Sequence, residues 1–220
     1  MFKRLLSYFV PVKICQKKSD ISSNLEVTWN NGHLVLDSKN TNYSYGSLQR
    51  ILRKGLNYIG FERIRQFENV LVLGVAGGSV IKTLVDEIKF RGKITGVEID
   101  PRTIELANTY FGLHQIPNLT IYIDDAFEFV LKTRDKYDLI IIDIFQDTKM
   151  PNFLFEDFFV NRINFLLNVN GFILFNTMTL TNTDKQRNVN YKAHFNDHYS
   201  IRMYPKVEDH NELFTIKKLK

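Results

Sequence analysis

The chain is poor in cysteine, and that scarcity excludes several classes at once. A single Cys15 among 220 residues rules out an internal disulfide framework and a thiolate zinc cluster. One free thiol fits a reducing compartment, so a cytoplasmic location is expected. No apolar run approaches the roughly 18 residues of a membrane span, and no membrane partner is expected. The stretch 1–10 is briefly apolar, but Tyr8 and Pro11 interrupt it and no small-residue cleavage site follows. It reads as mature sequence. Internal repeats and low-complexity linkers are absent. So are a Gly-x-Ser-x-Gly elbow and a phosphate-loop lysine. Of the five histidines, only His194 and His198 stand at i, i+4. They lie in a polar tail without a third ligand, so they read as surface and no metal is expected.

What is present is a folded-domain composition, with 44% hydrophobic and 24% charged residues. The net charge of +5 is unevenly spread. Residues 1–69 carry 11 Lys/Arg against 5 Asp/Glu, and residues 148–220 carry 10 against 7. Residues 70–147 carry 8 against 12. The basic residues are dispersed and form no stripe interleaved with aromatics, which argues against a nucleic-acid partner. The acidic middle is the place to look for chemistry.

Asn31-Gly32 lies between two β-prone runs within 25–37, which predicts a hairpin with a type I′ turn. A helix is expected over 45–58, with Leu48, Ile51, Leu52 and Leu56 on one face. From residue 69 the pattern alternates. Strands are expected at 69–73, 93–99, 119–123, 138–143 and 171–175, with helices at 79–88, 101–110, 126–133 and 153–167. Apolar strands separated by helices mean βαβ units and a parallel sheet covered on both faces. Two tail segments, 200–204 and 213–217, suit an antiparallel pair. The expected architecture is α/β: a Rossmann-like, doubly wound, mainly parallel sheet, with a small N-terminal β hairpin domain. The division expected is 1–42 for the β domain and 43–220 for the rest.

In such a sheet, ligands bind beyond the carboxyl ends of the strands. The first strand ends in Gly74-Val75-Ala76-Gly77-Gly78-Ser79. Small residues permit close backbone approach and a helix start offers free N–H groups, although a tight strand–helix turn needs the same residues. Glu98 ends the second strand, where a carboxylate can accept both ribose hydroxyls. Asp125 follows the third strand. It suits an adenine amine and, compatibly, the N-cap of the next helix. Asp143 follows the fourth strand. It can orient or deprotonate an amine or hydroxyl nucleophile, or cap its own loop.

The segments Val70–Gly78, Gly96–Pro101, Asp124–Phe129 and Tyr137–Asp143 together resemble the spermidine synthase family and its synthase-like relatives, within the class I S-adenosylmethionine (SAM) methyltransferase fold. The resemblance runs from the hairpin to the fifth strand. It implies SAM or decarboxylated SAM as donor and a small-molecule acceptor of the amine class. It also implies a small N-terminal β domain and often a dimer. Carried over residue by residue, Gly74, Ala76, Gly77, Gly78, Glu98, Asp125 and Asp143 correspond to donor-binding positions. Asp143 also takes the catalytic position, and Tyr45, Gln146 and Asp147 face the acceptor.

The departures from the family pattern shape the functional expectation. The synthase motif Gly-Gly-Gly-Asp-Gly-Gly has an acid where this chain has Gly77. That acid would hold the amine of decarboxylated SAM and repel the carboxylate of intact SAM. The synthase loop Asp-Ser-Ser-Asp-Pro reads here Asp143-Ile-Phe-Gln146-Asp147, and the Tyr-Gln pair reads Tyr45-Gly46. The acid that methyltransferases carry two residues before the first glycine is Val72. The leading expectation is a SAM-dependent methyltransferase of unknown acceptor. Aminopropyl transfer and a non-catalytic nucleoside-binding module are the alternatives.

Overall fold

The computed structural model describes residues 2–38, 42–44, 46–145, 149–208 and 210–220. A short helix α1 (Phe2–Leu6) leads into an antiparallel sheet of β1 (Val12–Ser19), β2 (Ser23–Asn30), β3 (His33–Ser38) and β4 (Asn42–Ser44), paired in that order. The β2–β3 hairpin turns at Asn31 and Gly32, both at positive φ, as a type I′ turn requires. The flanking β1 was not anticipated. A register shift between Lys13 and Cys15 breaks its alternation of apolar and polar residues, so the period-two signal is lost.

Next come α2 (Gly46–Ile59) and α3 (Phe61–Arg65), and then the alternating part of the chain. β5 (Asn69–Leu73) is followed by α4 (Ser79–Lys82), which runs on into a π-helical turn over Thr83–Glu87. After it come β6 (Lys93–Glu98), α5 (Pro101–Phe111), β7 (Leu119–Ile123), α6 (Ala126–Lys132) and β8 (Tyr137–Ile142). The chain closes with α7 (Asp157–Leu166), β9 (Leu167–Met178), α8 (Asn182–Tyr191), β10 (Tyr199–Tyr204) and β11 (Asn211–Lys218).

The second sheet has seven strands in the order β10-β11-β9-β8-β5-β6-β7. β5 to β9 are parallel, while β11 runs antiparallel to both β9 and β10. The fold is α/β and Rossmann-like. The chain steps from β5 outward to β7, then returns to β8 on the other flank of β5. That reversal is the topological switch point, where a crevice opens at the strands' carboxyl ends.

Alternation along each central strand feeds two cores. Val70, Val72, Leu139 and Ile141 pack with Leu52 and Leu56 of α2 and Ile104 of α5. Leu71, Leu73, Ile140 and Ile142 pack with Val130 of α6, Val160 and Ile163 of α7 and Tyr191 of α8. Burying each such side chain contributes roughly 1.5–3 kcal/mol. The N-terminal sheet packs Leu25, Val27 and Leu36 against Leu106 of α5.

Two expectations are corrected. The helix over 153–167 is interrupted: Asn152–Phe155 is a 3-10 turn, Glu156 is extended, and α7 starts at Asp157. Phe153 and Phe155 turn into an aromatic cluster instead, with ring centroids 5.0 Å from Phe159 and 5.7 Å from Tyr191 respectively. The fifth strand begins at Leu167 rather than residue 171, because a register shift around Asn170 (φ 66) lets pairing start earlier. α8 was not anticipated. Its sequence has no apolar stripe, and its clearest signal is the Thr181–Asp184 capping box. No helix among the described residues is long and apolar enough to cross a membrane.

Candidate functional site

The glycine turn is built by packing. Gly74 has φ +88, and a Cβ there would run into the backbone carbonyl of Asp143. Its N–H donates to the Val97 carbonyl at 3.0 Å, and the Asp143 N–H donates to the Leu73 carbonyl at 2.9 Å. At Gly78 (φ +80) a Cβ would stand 2.6 Å from Leu113 Cδ1. Both glycines therefore answer first to protein neighbours, a refinement of the expectation that they make room for a ligand. Ala76 lies at φ 47, a left-handed conformation uncommon for a residue with a Cβ. That turn aims the Ala76 N–H at Glu98 Oε2, 2.9 Å away.

Glu98 ends β6 and is only 8% exposed. Its Oε1 accepts from the Asp100 N–H at 3.1 Å. Burial holds its pKa above the ordinary carboxylate value. Hydrogen bonds from the Ala76, Asp100 and Ile99 N–H groups pull it back, and the charge of Asp100 adds to the rise. Among the described residues no lysine or arginine pairs with it. Asp100 is itself buried. It caps α5 by accepting from the Arg102 N–H at 2.9 Å, and it accepts from the Ser19 hydroxyl at 2.5 Å. The N-terminal sheet thus braces the segment that carries Glu98. The sequence reading missed Asp100, although an Asp-Pro start to a helix is a cap signal.

Asp125 caps α6. Its Oδ1 accepts from the Phe127 N–H at 2.7 Å and the Glu128 N–H at 3.4 Å. Of the two readings left open for it, the cap is the one this geometry contains.

Asp143 follows β8, half-buried, with its Oδ1 accepting from Asn176 Nδ2 at 2.9 Å. Burial pushes its pKa up to about 6, the Asn176 bond opposes the rise, and the charge of Glu98 adds to it. Asn176 was not singled out from the sequence. It sits fully buried in β9 and has no motif of its own. Tyr45, Gln146 and Asp147 lie outside the described residues. His194 and His198 turn to different partners. The Nδ1 of His194 is 2.7 Å from Asp157 Oδ1, and His198 lies beside Asp197. His194 is less exposed than a surface reading implied, because its ring packs edge-on against Tyr191. No group of three or more potential metal ligands occurs among the described residues.

The spermine/spermidine synthase domain matches residues 50–207. The chain belongs to that family. A polyamine aminopropyltransferase of Vibrio vulnificus (strain CMCP6) is 27% identical over 139 residues, which is 62% of this chain and 46% of that protein. The chain therefore spans about half the length of such curated relatives. Among solved structures, the spermidine synthase of Thermotoga maritima superposes with a TM-score of 0.71 at 18% identity, covering 95% of this chain and 73% of that one. Human methyltransferase-like protein 13, in complex with SAH, gives 0.66 at 20% identity, covering 80% and 83%. At such identities the structural likeness speaks for the fold.

Within the synthase-family span lie the glycine turn, Glu98, Asp125, Asp143 and Asn176. Glu98 and Asp143 bring two carboxylates to the strand ends on either side of β5. Among the described residues neither has a cationic partner, and the charge of Glu98 disfavours ionisation of Asp143. A carboxylate has about four lone-pair sites, so the three N–H groups on Glu98 leave room for a hydroxyl donor.

Proposed function

We propose that this chain is a transferase using an adenosyl sulfonium donor. In this reading it moves a methyl group from SAM to a small acceptor of the amine class. The observation that carries the proposal is Glu98: a buried carboxylate beside the glycine turn, oriented by the Ala76 and Asp100 N–H groups and paired with no lysine or arginine among the described residues. The residues present fit such a donor. Glu98 would accept from a ribose hydroxyl at its remaining lone-pair site, the turn 74–78 would lie along the donor, and Asp125 would stand near its adenine. When bound, the donor supplies an electrophilic carbon on a positively charged sulfur. The two carboxylates favour that positive charge at the strand ends.

Asp143 acts on the acceptor side. With a pKa of about 6 its carboxylate is mostly ionised at neutral pH, so it can accept a hydrogen bond from an amine or hydroxyl and orient the lone pair. Alignment of this kind can supply much of the rate of a displacement at carbon. Gly77 decides between donors in this reading. It places no carboxylate where the family motif holds the amine of decarboxylated SAM, and nothing there repels the carboxylate of SAM.

The second reading is aminopropyl transfer. It is favoured by the curated relative, a polyamine aminopropyltransferase. It asks the site to hold a diamine, whose two charges need carboxylates at both ends. Calorimetric titration with SAM and with decarboxylated SAM separates the readings. Tighter binding of SAM is expected. Tighter binding of decarboxylated SAM, with a polyamine product, would replace methyl transfer by aminopropyl transfer. Binding of neither would leave a non-catalytic module.

A further inference from the structure

Asp143 is held by a side chain that is itself held. Asn176 is fully buried in β9 and donates through Nδ2 to Asp143 Oδ1 at 2.9 Å. Its other end, Oδ1, accepts from Asn211 Nδ2 at 3.0 Å. An amide has one donating and one accepting end, and the two are not interchangeable. With Asn211 donating to the carbonyl end, the NH2 end must face the carboxylate. Reversal would set two oxygens against each other at Asp143 and two NH2 groups against each other at Asn211.

Asn211 is placed by the β10–β11 turn. Its N–H donates to the Glu208 carbonyl, and its carbonyl accepts from the Val207 N–H, each at 2.9 Å. That turn is clamped to α2 from outside. Arg50 Nε and Nη2 donate to the two Glu208 carboxylate oxygens at 2.8 and 2.9 Å, and Lys54 Nζ donates to the Val207 carbonyl at 2.9 Å. A continuous run of contacts therefore joins α2, the tail turn, Asn211, Asn176 and Asp143.

We infer that Asn211 and Asn176 form a positioning relay that fixes the orientation of the Asp143 carboxylate and couples it to the tail turn clamped by α2. The inference rests on the reading of Asp143 as the acceptor-side carboxylate. It adds two positioning residues and makes the C-terminal hairpin part of the site. A carboxylate that loses a donated hydrogen bond in a buried setting is driven toward its neutral form. Each break in the relay should therefore raise the titration midpoint of Asp143.

The test is a carbon-13 NMR titration of protein labelled at the aspartate carboxyls, with the Asp143 resonance identified by its loss in Asp143→Asn. The wild-type midpoint is expected near 6. Asn176→Leu removes the donor and should raise the midpoint by roughly one pH unit. Asn211→Ala should raise it by less, and Arg50→Ala, on the exposed clamp, by least. Lys185→Ala, off the relay, should leave it in place. A midpoint in Asn211→Ala equal to that of the wild type would overturn the relay. Should Asn176→Leu fail to fold, the partly exposed Asn211 still decides the matter. The readout needs no donor or acceptor. Failure of both SAM and decarboxylated SAM to bind, with the midpoint still moving, would remove the transferase reading and leave the relay standing.

Discussion

Glu98, buried, and Asp143, half-buried, are carboxylates at the carboxyl ends of parallel strands, one on each flank of β5, yet they are held by different parts of the chain. Glu98 is held by backbone N–H groups of Ala76 and Asp100, 22 and 2 residues away in sequence. Asp143 is held by the side-chain amide of Asn176, 33 residues on, which is held in turn by Asn211, a further 35 residues on. In the proposed reading the donor half of the site is thus made of backbone, and the acceptor half depends on side chains from the tail. Backbone donors survive most substitutions, so the donor half should be robust except at Glu98 and at the turn itself. The acceptor half should be sensitive at every member of its chain.

The strongest way to break this contrast is to strike the point where the halves meet. Gly74→Ala places a Cβ against the Asp143 carbonyl in a backbone conformation with φ +88. It should destabilise the fold by about 3 kcal/mol, measured by urea unfolding. A loss below about 1 kcal/mol would show that the two strand ends are not packed together as described.

A smaller effect sharpens the acceptor half. The folded protein holds a proton on Asp143 up to about 6, against an ordinary value of 3.8. Folding therefore binds a proton in that window. The stability from this group falls as pH rises through the window, and the loss is complete above it. Asp143→Asn should consequently stabilise the ligand-free protein by about 2 kcal/mol at pH 8 and hardly at all at pH 4. The same substitution should reduce turnover and should weaken donor binding by less than Glu98→Ala does, since it removes one of the two carboxylates that favour the donor's positive charge. A stability difference that does not depend on pH would contradict the burial of that charge.

The smallest effect concerns Asp125. Its substitution by Ala should cost about 1 kcal/mol in thermal or urea melts, through loss of the α6 cap. Unchanged stability would mean that the cap bonds are not made in solution.

The same contrast explains what was legible beforehand. The central strands were readable because each is a continuous apolar run bounded by turn signals. β5 and β7 carry the anticipated limits. The glycine turn, Glu98 and Asp125 were readable because strand ends concentrate ligand chemistry and these residues lie beside their strands. Asn176 and Asn211 were not, since a buried amide between two strands shows no period and no motif. The Asp-Pro start of α5 marks Asp100 as a cap, but its contact with Ser19, 81 residues away, is one that no local pattern encodes. The break at Glu156 was missed because aromatic packing of Phe153 and Phe155 overrode a sound helical pattern.

The most direct measurement is calorimetric titration of SAM into the wild-type protein and into Glu98→Ala. The account predicts binding to the wild type and a loss of roughly 30-fold or more in the variant, the weight of hydrogen bonds to a buried charge, with the fold retained. Equal affinity in the two proteins would contradict the assignment of Glu98 to the donor, and with it the proposed activity.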